Sequence, residues 1–140
     1  GLSPSALDWL PQIEREGLTP FLRRTIAMRF DLEKTDPGMI EWFLKQTGEN
    51  DPAYVARFIG YMATQAWPDE LPRIKAPTLV IYPGGETVGS ASLYDTMRER
   101  IPDVTMREYE HMPHNIADMM PERCVADILG FIKSKCGYPA

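Results

Sequence analysis

The stretch Ala76-Pro77-Thr78-Leu79-Val80-Ile81-Tyr82-Pro83-Gly84-Gly85-Glu86 decides the fold. Leu79 to Tyr82 form a continuous apolar, partly β-branched run between Pro77 and a Pro83-Gly84-Gly85 turn. A run of this kind predicts a short strand buried on both faces, as in a parallel sheet. An acid, Glu86, follows the turn. In open α/β sheets, ligands bind beyond the carboxyl ends of the strands, so Glu86 stands where chemistry is expected.

On the C-terminal side, Ser90 reads as the N-cap of a helix carrying Leu93, Met97 and Ile101, which Pro102 ends. Val104 to Tyr109 alternates, with Val104 and Met106 on one side and Thr105 and Arg107 on the other, and predicts a half-exposed strand suited to a sheet edge. The loop His111-Met112-Pro113-His114-Asn115 follows. Pro121 then opens a last helix whose Val125, Ile128, Leu129 and Ile132 share one apolar face, with Gly137 as its stop.

On the N-terminal side the signals are helical. Trp9, Leu10 and Ile13 predict a first helix to Glu16, stopped by Gly17, with Pro11 delaying its start or kinking it. Thr19 and Pro20 read as N-cap and first residue of a second helix, with Leu22, Ile26 and Phe30 on one face. Asp36-Pro37 opens a third, with Ile40, Phe43 and Leu44, stopped by Gly48. Asp51-Pro52 opens a fourth, with Tyr54, Val55, Phe58, Ile59 and Met62 at helical spacing, closed by Trp67-Pro68. The two halves are therefore helices over 1–70 and a βαβα unit over 71–140, an α/β class with two parallel strands.

The composition fits a globular chain: 140 residues, 44% apolar and 25% charged, with a net charge of -5. Basic residues are scattered among acids, which speaks against nucleic acid or a membrane surface as partner. No apolar run reaches membrane-spanning length. Cys124 and Cys136 lack metal-ligand spacing and read as free thiols of a reducing, cytoplasmic compartment rather than a disulfide. No cluster implies a metal or an organic cofactor.

A strand as apolar as Leu79–Tyr82 needs neighbours on both edges and cover on both faces. Nothing else in the chain reads as a strand that could supply them. The expectation is an incomplete domain, whose partner is an N-terminal segment or a second polypeptide. A soluble, cooperatively melting monomer of residues 1–140 would refute it.

The run Ile74-Lys75-Ala76-Pro77-Thr78-Leu79-Val80-Ile81-Tyr82, a glycine turn, an acid and Val88 resembles the penultimate strand of the α/β-hydrolase fold. In that family the turn presents the acid of a nucleophile–His–acid triad. A histidine then precedes Pro-Glu and a closing helix, and here His114 precedes Pro121-Glu122 and a helix with Phe131-Ile132. The match covers residues 71–135. Residues 1–70 are similar to the helical cap of enol-lactonase and small-ester hydrolase relatives. Three departures stand out: the acid is Glu86 where Asp is commoner, Pro113 replaces the usual glycine before His114, and no G-x-S-x-G occurs, Gly89-Ser90-Ala91-Ser92-Leu93 lacking the last glycine.

The resemblance implies the C-terminal part of an α/β-hydrolase sheet preceded by a cap. His114 would be the general base and acid, and Glu86 would orient it. His111 reads as a surface or supporting residue, and Asp118 and Asp69 as weaker alternative acids. Met28, Phe30, Phe43 and Phe58 read mostly as helix packing. Trp42, Tyr61, Met62 and Trp67 are the substrate-contact candidates of the cap. The implied function is hydrolysis of a small ester or lactone, with the serine and oxyanion hole in an N-terminal half that is a missing segment or second chain. A homo-oligomer is compatible with this reading. A non-catalytic scaffold on the same fold is the alternative from another class. C–C bond hydrolases, cofactor-free haloperoxidases and epoxide hydrolases share this half of the fold.

Overall fold

Residues 7–137 are described by a computed structural model of the chain. Four helices come first: α1 (Trp9–Glu16), α2 (Leu18–Arg24), α3 (Pro37–Gly48) and α4 (Pro52–Thr64). Then follow β1 (Thr78–Pro83), α5 (Ser92–Arg100), β2 (Val104–Tyr109), the one-turn helix α6 (Ile116–Met119) and α7 (Pro121–Cys136). Among the described residues the sheet has two strands, β1 and β2, which pair in parallel from Thr78 opposite Val104 to Pro83 opposite Tyr109.

The Asp-Pro starts are made as their chemistry dictates. Asp36 accepts from Met39 N and Asp51 from Ala53 N, and Pro37 and Pro52 hold the first helical position. Caps of this type contribute about 1 kcal/mol each.

Several boundaries differ from expectation. Pro11 neither delays nor breaks α1, because it falls in the first turn, where no amide donor is needed. Thr19 is not a cap. Gly17, at φ 88, both ends α1 and starts α2, so one residue separates the two helices and Pro20 lies in the first turn of α2. The helix expected to reach Phe30 ends at Arg24. Thr25 Oγ1 turns back onto Phe21 O at 2.9 Å, and Ile26–Met28 tightens into a 3₁₀ turn. Ser90 is not the cap of α5 either, since its hydroxyl pairs with Ser92 Oγ at 2.8 Å and the helix begins at Ser92.

The helical layer has its own core of Ile13, Leu18, Phe21, Leu22, Leu44 and Ile59. A second cluster gathers Tyr109, Ile116 and Cys124 beneath the strand ends. Tyr109 is wholly buried and gives its hydroxyl to Asp127 of α7 at 2.7 Å, with the Arg123 guanidinium 3.9 Å above its ring. Burial and the Asp127 contact, with Cys124 beside it, push the Tyr109 phenol upward in pKa.

Cover over the sheet is partial. In β1 only Tyr82 and Pro83 are buried, and Thr78 to Ile81 are half-buried. The face of α7 expected to turn inward instead points outward, with Val125, Ile128 and Leu129 about half exposed. Arg123, Cys124 and Asp127 are side chains of α7 that reach the Tyr109 cluster. The face of α4 is split as well: Ile59 is buried, whereas Tyr54 and Phe58 stack on each other at 6.4 Å and are half exposed.

The two strand-end turns lie in backbone contact. Gly84 N donates to Tyr109 O and Gly85 N to Met112 O, both at 2.9 Å. A Cβ at Gly85 would stand 3.0 Å from Met112 O and 3.1 Å from His111 O, and one at Gly84 would meet Glu110 Cα and His111 N at 3.1 Å. Those neighbours are main chain and cannot swing aside. Gly85→Ala is therefore expected to lower stability by about 1–3 kcal/mol, the range for overpacking. Gly60→Ala, in α4 with nothing within 4 Å of the place its new methyl would take, is expected to be neutral or to stabilise by up to about 1 kcal/mol. Urea denaturation of the two variants checks both.

Candidate active site

The turn after β1 delivers Glu86 and the turn after β2 delivers His114. Glu86 directly follows Gly84 and Gly85, whose amides bond to the turn after β2, and its side chain is 1% exposed. A carboxylate so enclosed must find donors, and it finds four. Oε1 accepts from Val88 N and Gly89 N, each at 2.8 Å. Oε2 accepts from Tyr94 OH at 3.0 Å and from His114 Nδ1 at 2.7 Å. Gly89 has no side chain to obstruct this, and a Cβ there would sit 3.4 Å from the carboxyl carbon.

Burial by itself raises the Glu86 pKa, but the hydrogen bonds from Gly89 N, His114 and Val88 N outweigh it, and the net direction is down. Glu86 is thus ionised near neutrality and can only accept. It follows that His114 carries its proton on Nδ1 and leaves the Nε2 lone pair free. Tyr94 stacks on Tyr82 with ring centroids 4.7 Å apart. Its phenol is pushed up by burial and by the adjoining Glu86 charge, so it stays a donor.

His114 is also held from the helical side. Its own amide donates to Met28 O at 3.2 Å, and Asn115 N donates to Arg29 O at 2.9 Å. The loop is thereby bonded to the 3₁₀ turn that follows α2. Pro113 is accommodated with the imidazole still 2.7 Å from Glu86. The ring is 41% exposed and opens on a cavity of about 310 Å³ between the helical layer and the strand ends. Trp9, Phe21, Phe43, Val55, Phe58 and Val88 supply apolar walls, and Arg29, Thr47 and Asn115 are polar members.

The other sequence candidates fall elsewhere. Tyr61, Met62 and Trp67 line a separate cavity of about 340 Å³ with Leu71, Leu93 and Met97. Trp42 is exposed and lines neither. Asp118 takes the Asn115 side-chain amide at 2.8 Å, and Asp69 pairs with Arg100 at 2.7 Å, so neither meets His114. His111 is exposed in the left-handed region at φ 59, at the tip of the turn. Among the described residues no three His, Cys, Asp or Glu side chains gather as a metal site, and no helix is long and apolar enough to cross a membrane.

Two members of the site escaped the sequence reading. Tyr94 could have been found as an aromatic hydroxyl eight residues after Glu86, at the start of the next helix. Arg29 could have been found as a lone cation between apolar Met28 and Phe30.

Comparison with solved structures puts this geometry in a fold. An esterase from Exiguobacterium antarcticum superposes with a TM-score of 0.79 over 91% of this chain and 47% of its own, at 16% identity. A thermophilic esterase from Thermogutta terrifontis gives 0.75 over 94% and 51%, at 22% identity. A hydrolase from Oleispira antarctica gives 0.76 over 96% and 49%, at 14% identity. The chain has the C-terminal half of an α/β-hydrolase fold. It spans about half the length of the α/β hydrolases it matches. No protein-family model and no curated protein sequence matches the chain.

In this α/β-hydrolase half, a depressed Glu86 pKa means stability that is present above the unfolded carboxyl value, about 4.3, and lost as pH falls through the lower folded value. Glu86→Gln is expected to remove that part of the acid transition. Tyr94→Phe, which takes one donor from Oε2, is expected to move it to higher pH. Urea melts between pH 3 and 7 read both shifts.

Proposed function

We propose that the chain is the cap and C-terminal part of a hydrolase of small esters or lactones, working through a serine–His114–Glu86 triad. The observation that carries this is the 2.7 Å contact between His114 Nδ1 and a fully enclosed, four-fold bonded Glu86 carboxylate, His114 itself lining a cavity. The fold shared with esterases and other hydrolases supports the class of reaction. The serine and the oxyanion hole would come from a segment outside this sequence, an N-terminal half in the same polypeptide or a second one. The half-covered β1 and the outward apolar side chains of α7 are surfaces that such a segment would bury.

The chemistry follows from the tautomer. Nε2 takes the serine proton as the hydroxyl attacks the carbonyl, and Glu86 stabilises the resulting imidazolium through Nδ1. The same proton then passes to the departing alkoxide, and water completes the cycle by the reverse route. Helices of the 1–70 region would act as the cap, walling the cavity from water. Tyr61, Met62 and Trp67 would contact substrate only in a product or entry channel, because they lie in the other cavity. A cytoplasmic location and a small-molecule substrate remain part of the proposal.

In the assembled protein, His114→Ala is expected to lower p-nitrophenyl ester turnover about a hundredfold or more. Turnover within about threefold of wild type would refute the triad. A fluorophosphonate probe is expected to label the companion segment, and absence of label with no turnover would favour the scaffold reading.

A further inference from the structure

Arg29 follows the 3₁₀ turn after α2 and is 8% exposed. A guanidinium stays charged at any working pH, and so deep a cation normally carries a carboxylate partner. Among the described residues Arg29 has none. Its Nη1 donates to Thr25 O at 3.3 Å and Thr25 Oγ1 at 3.2 Å, both neutral and both long. One face of the guanidinium lies 5.7 Å from the centre of the Trp9 ring. Nε and Nη2 have no protein acceptor among the described residues, yet neither is sealed in protein, because Thr35 Oγ1 is the one side-chain atom there that is both sealed and unpartnered. Arg29 lines the same cavity as His114. Burial without a counter-charge also lowers the Arg29 pKa, which marks the charge as uncompensated.

Most of the cavity wall is apolar, Thr47, His114 and Asn115 being its other polar members, and Arg29 brings a guanidinium to it beside the histidine loop, to which it is tied through Asn115 N. A planar fork of this kind suits a bidentate carboxylate. We infer that Arg29 is a substrate-recognition residue, and that the preferred ester or lactone carries a free carboxylate. The inference rests on the hydrolase reading for the reaction, but not for the anion site.

The test compares mono-p-nitrophenyl glutarate with p-nitrophenyl valerate, in the assembled wild-type protein and in Arg29→Gln and Arg29→Lys. Wild type is expected to favour the glutarate by about thirtyfold or more in kcat/KM, as a buried charge pair allows. Arg29→Gln is expected to erase that preference, kcat/KM falling about thirtyfold further for the glutarate than for the valerate. Arg29→Lys, which keeps the charge but not the fork, is expected to fall between and guards against loss of fold. Calorimetry with glutarate alone is expected to give binding that Arg29→Gln weakens at least tenfold. Glutarate binding through Arg29 without ester turnover would retain the anion site and sink the ester reading. Ester turnover with no preference, and no Arg29→Gln effect on glutarate, would overturn the inference and leave the triad standing.

Discussion

The pair of backbone hydrogen bonds between the strand-end turns, Gly84 N to Tyr109 O and Gly85 N to Met112 O, sets most of the site. It carries the contact between the two strands past the last paired position, Pro83 and Tyr109, into the turns that follow. That brings two loops far apart in sequence to within one hydrogen bond of each other. The contact demands glycine at both positions, because main chain fills the space where a methyl would sit. Tyr109 is the fixed point beneath it: its carbonyl receives both Gly84 N and Met112 N, and its ring and hydroxyl are clamped by Arg123 and Asp127 of α7. The distance between Glu86 and His114 is thus set by strand pairing and not by the two side chains.

The charged groups around the cavity are handled in opposite ways. Glu86 is enclosed but gains donors on both oxygens, so its charge is stabilised locally at the cost of freedom. Arg29 is nearly as deep and gains only two long contacts on one nitrogen. In a medium of low polarisability this difference decides what each group does, since a satisfied charge is inert toward ligands and an unsatisfied one attracts them.

The strand order and the helix order were legible because each rests on local pattern, Leu79–Tyr82 as an apolar run and Asp36-Pro37 and Asp51-Pro52 as start signals, whereas the pairing of Glu86 with His114 was legible only through the resemblance to the α/β-hydrolase fold. What was not legible depends on tertiary demand. Ser90 looks like a cap, but the neighbouring Val88 and Gly89 amides are drawn to Glu86, and the helix starts two residues later. The helix after Gly17 has the periodicity to continue to Phe30, yet the carbonyls of Met28 and Arg29 are needed by the histidine loop. The side chains lining the His114 cavity come from α1, α2, α3 and α4 at once, and no single-element periodicity reveals which of them converge. The outward stripe of α7 is a case where the pattern is plain and its partner is not among the described residues.

The two hydrogen bonds from the His114–Asn115 backbone to Met28 O and Arg29 O have a kinematic consequence. They make the end of α2 and the histidine loop one mechanical piece. A swing of α1 and α2 away from the strands would carry the imidazole off Glu86. Enlargement of the cavity mouth that leaves the pair intact must therefore take place in α3 and α4. Among the described residues, their ties to that piece are side-chain contacts such as Phe43 on Phe30 and Glu41 on Arg23. The histidine therefore moves only with the wall of the cavity that the turn after α2 belongs to.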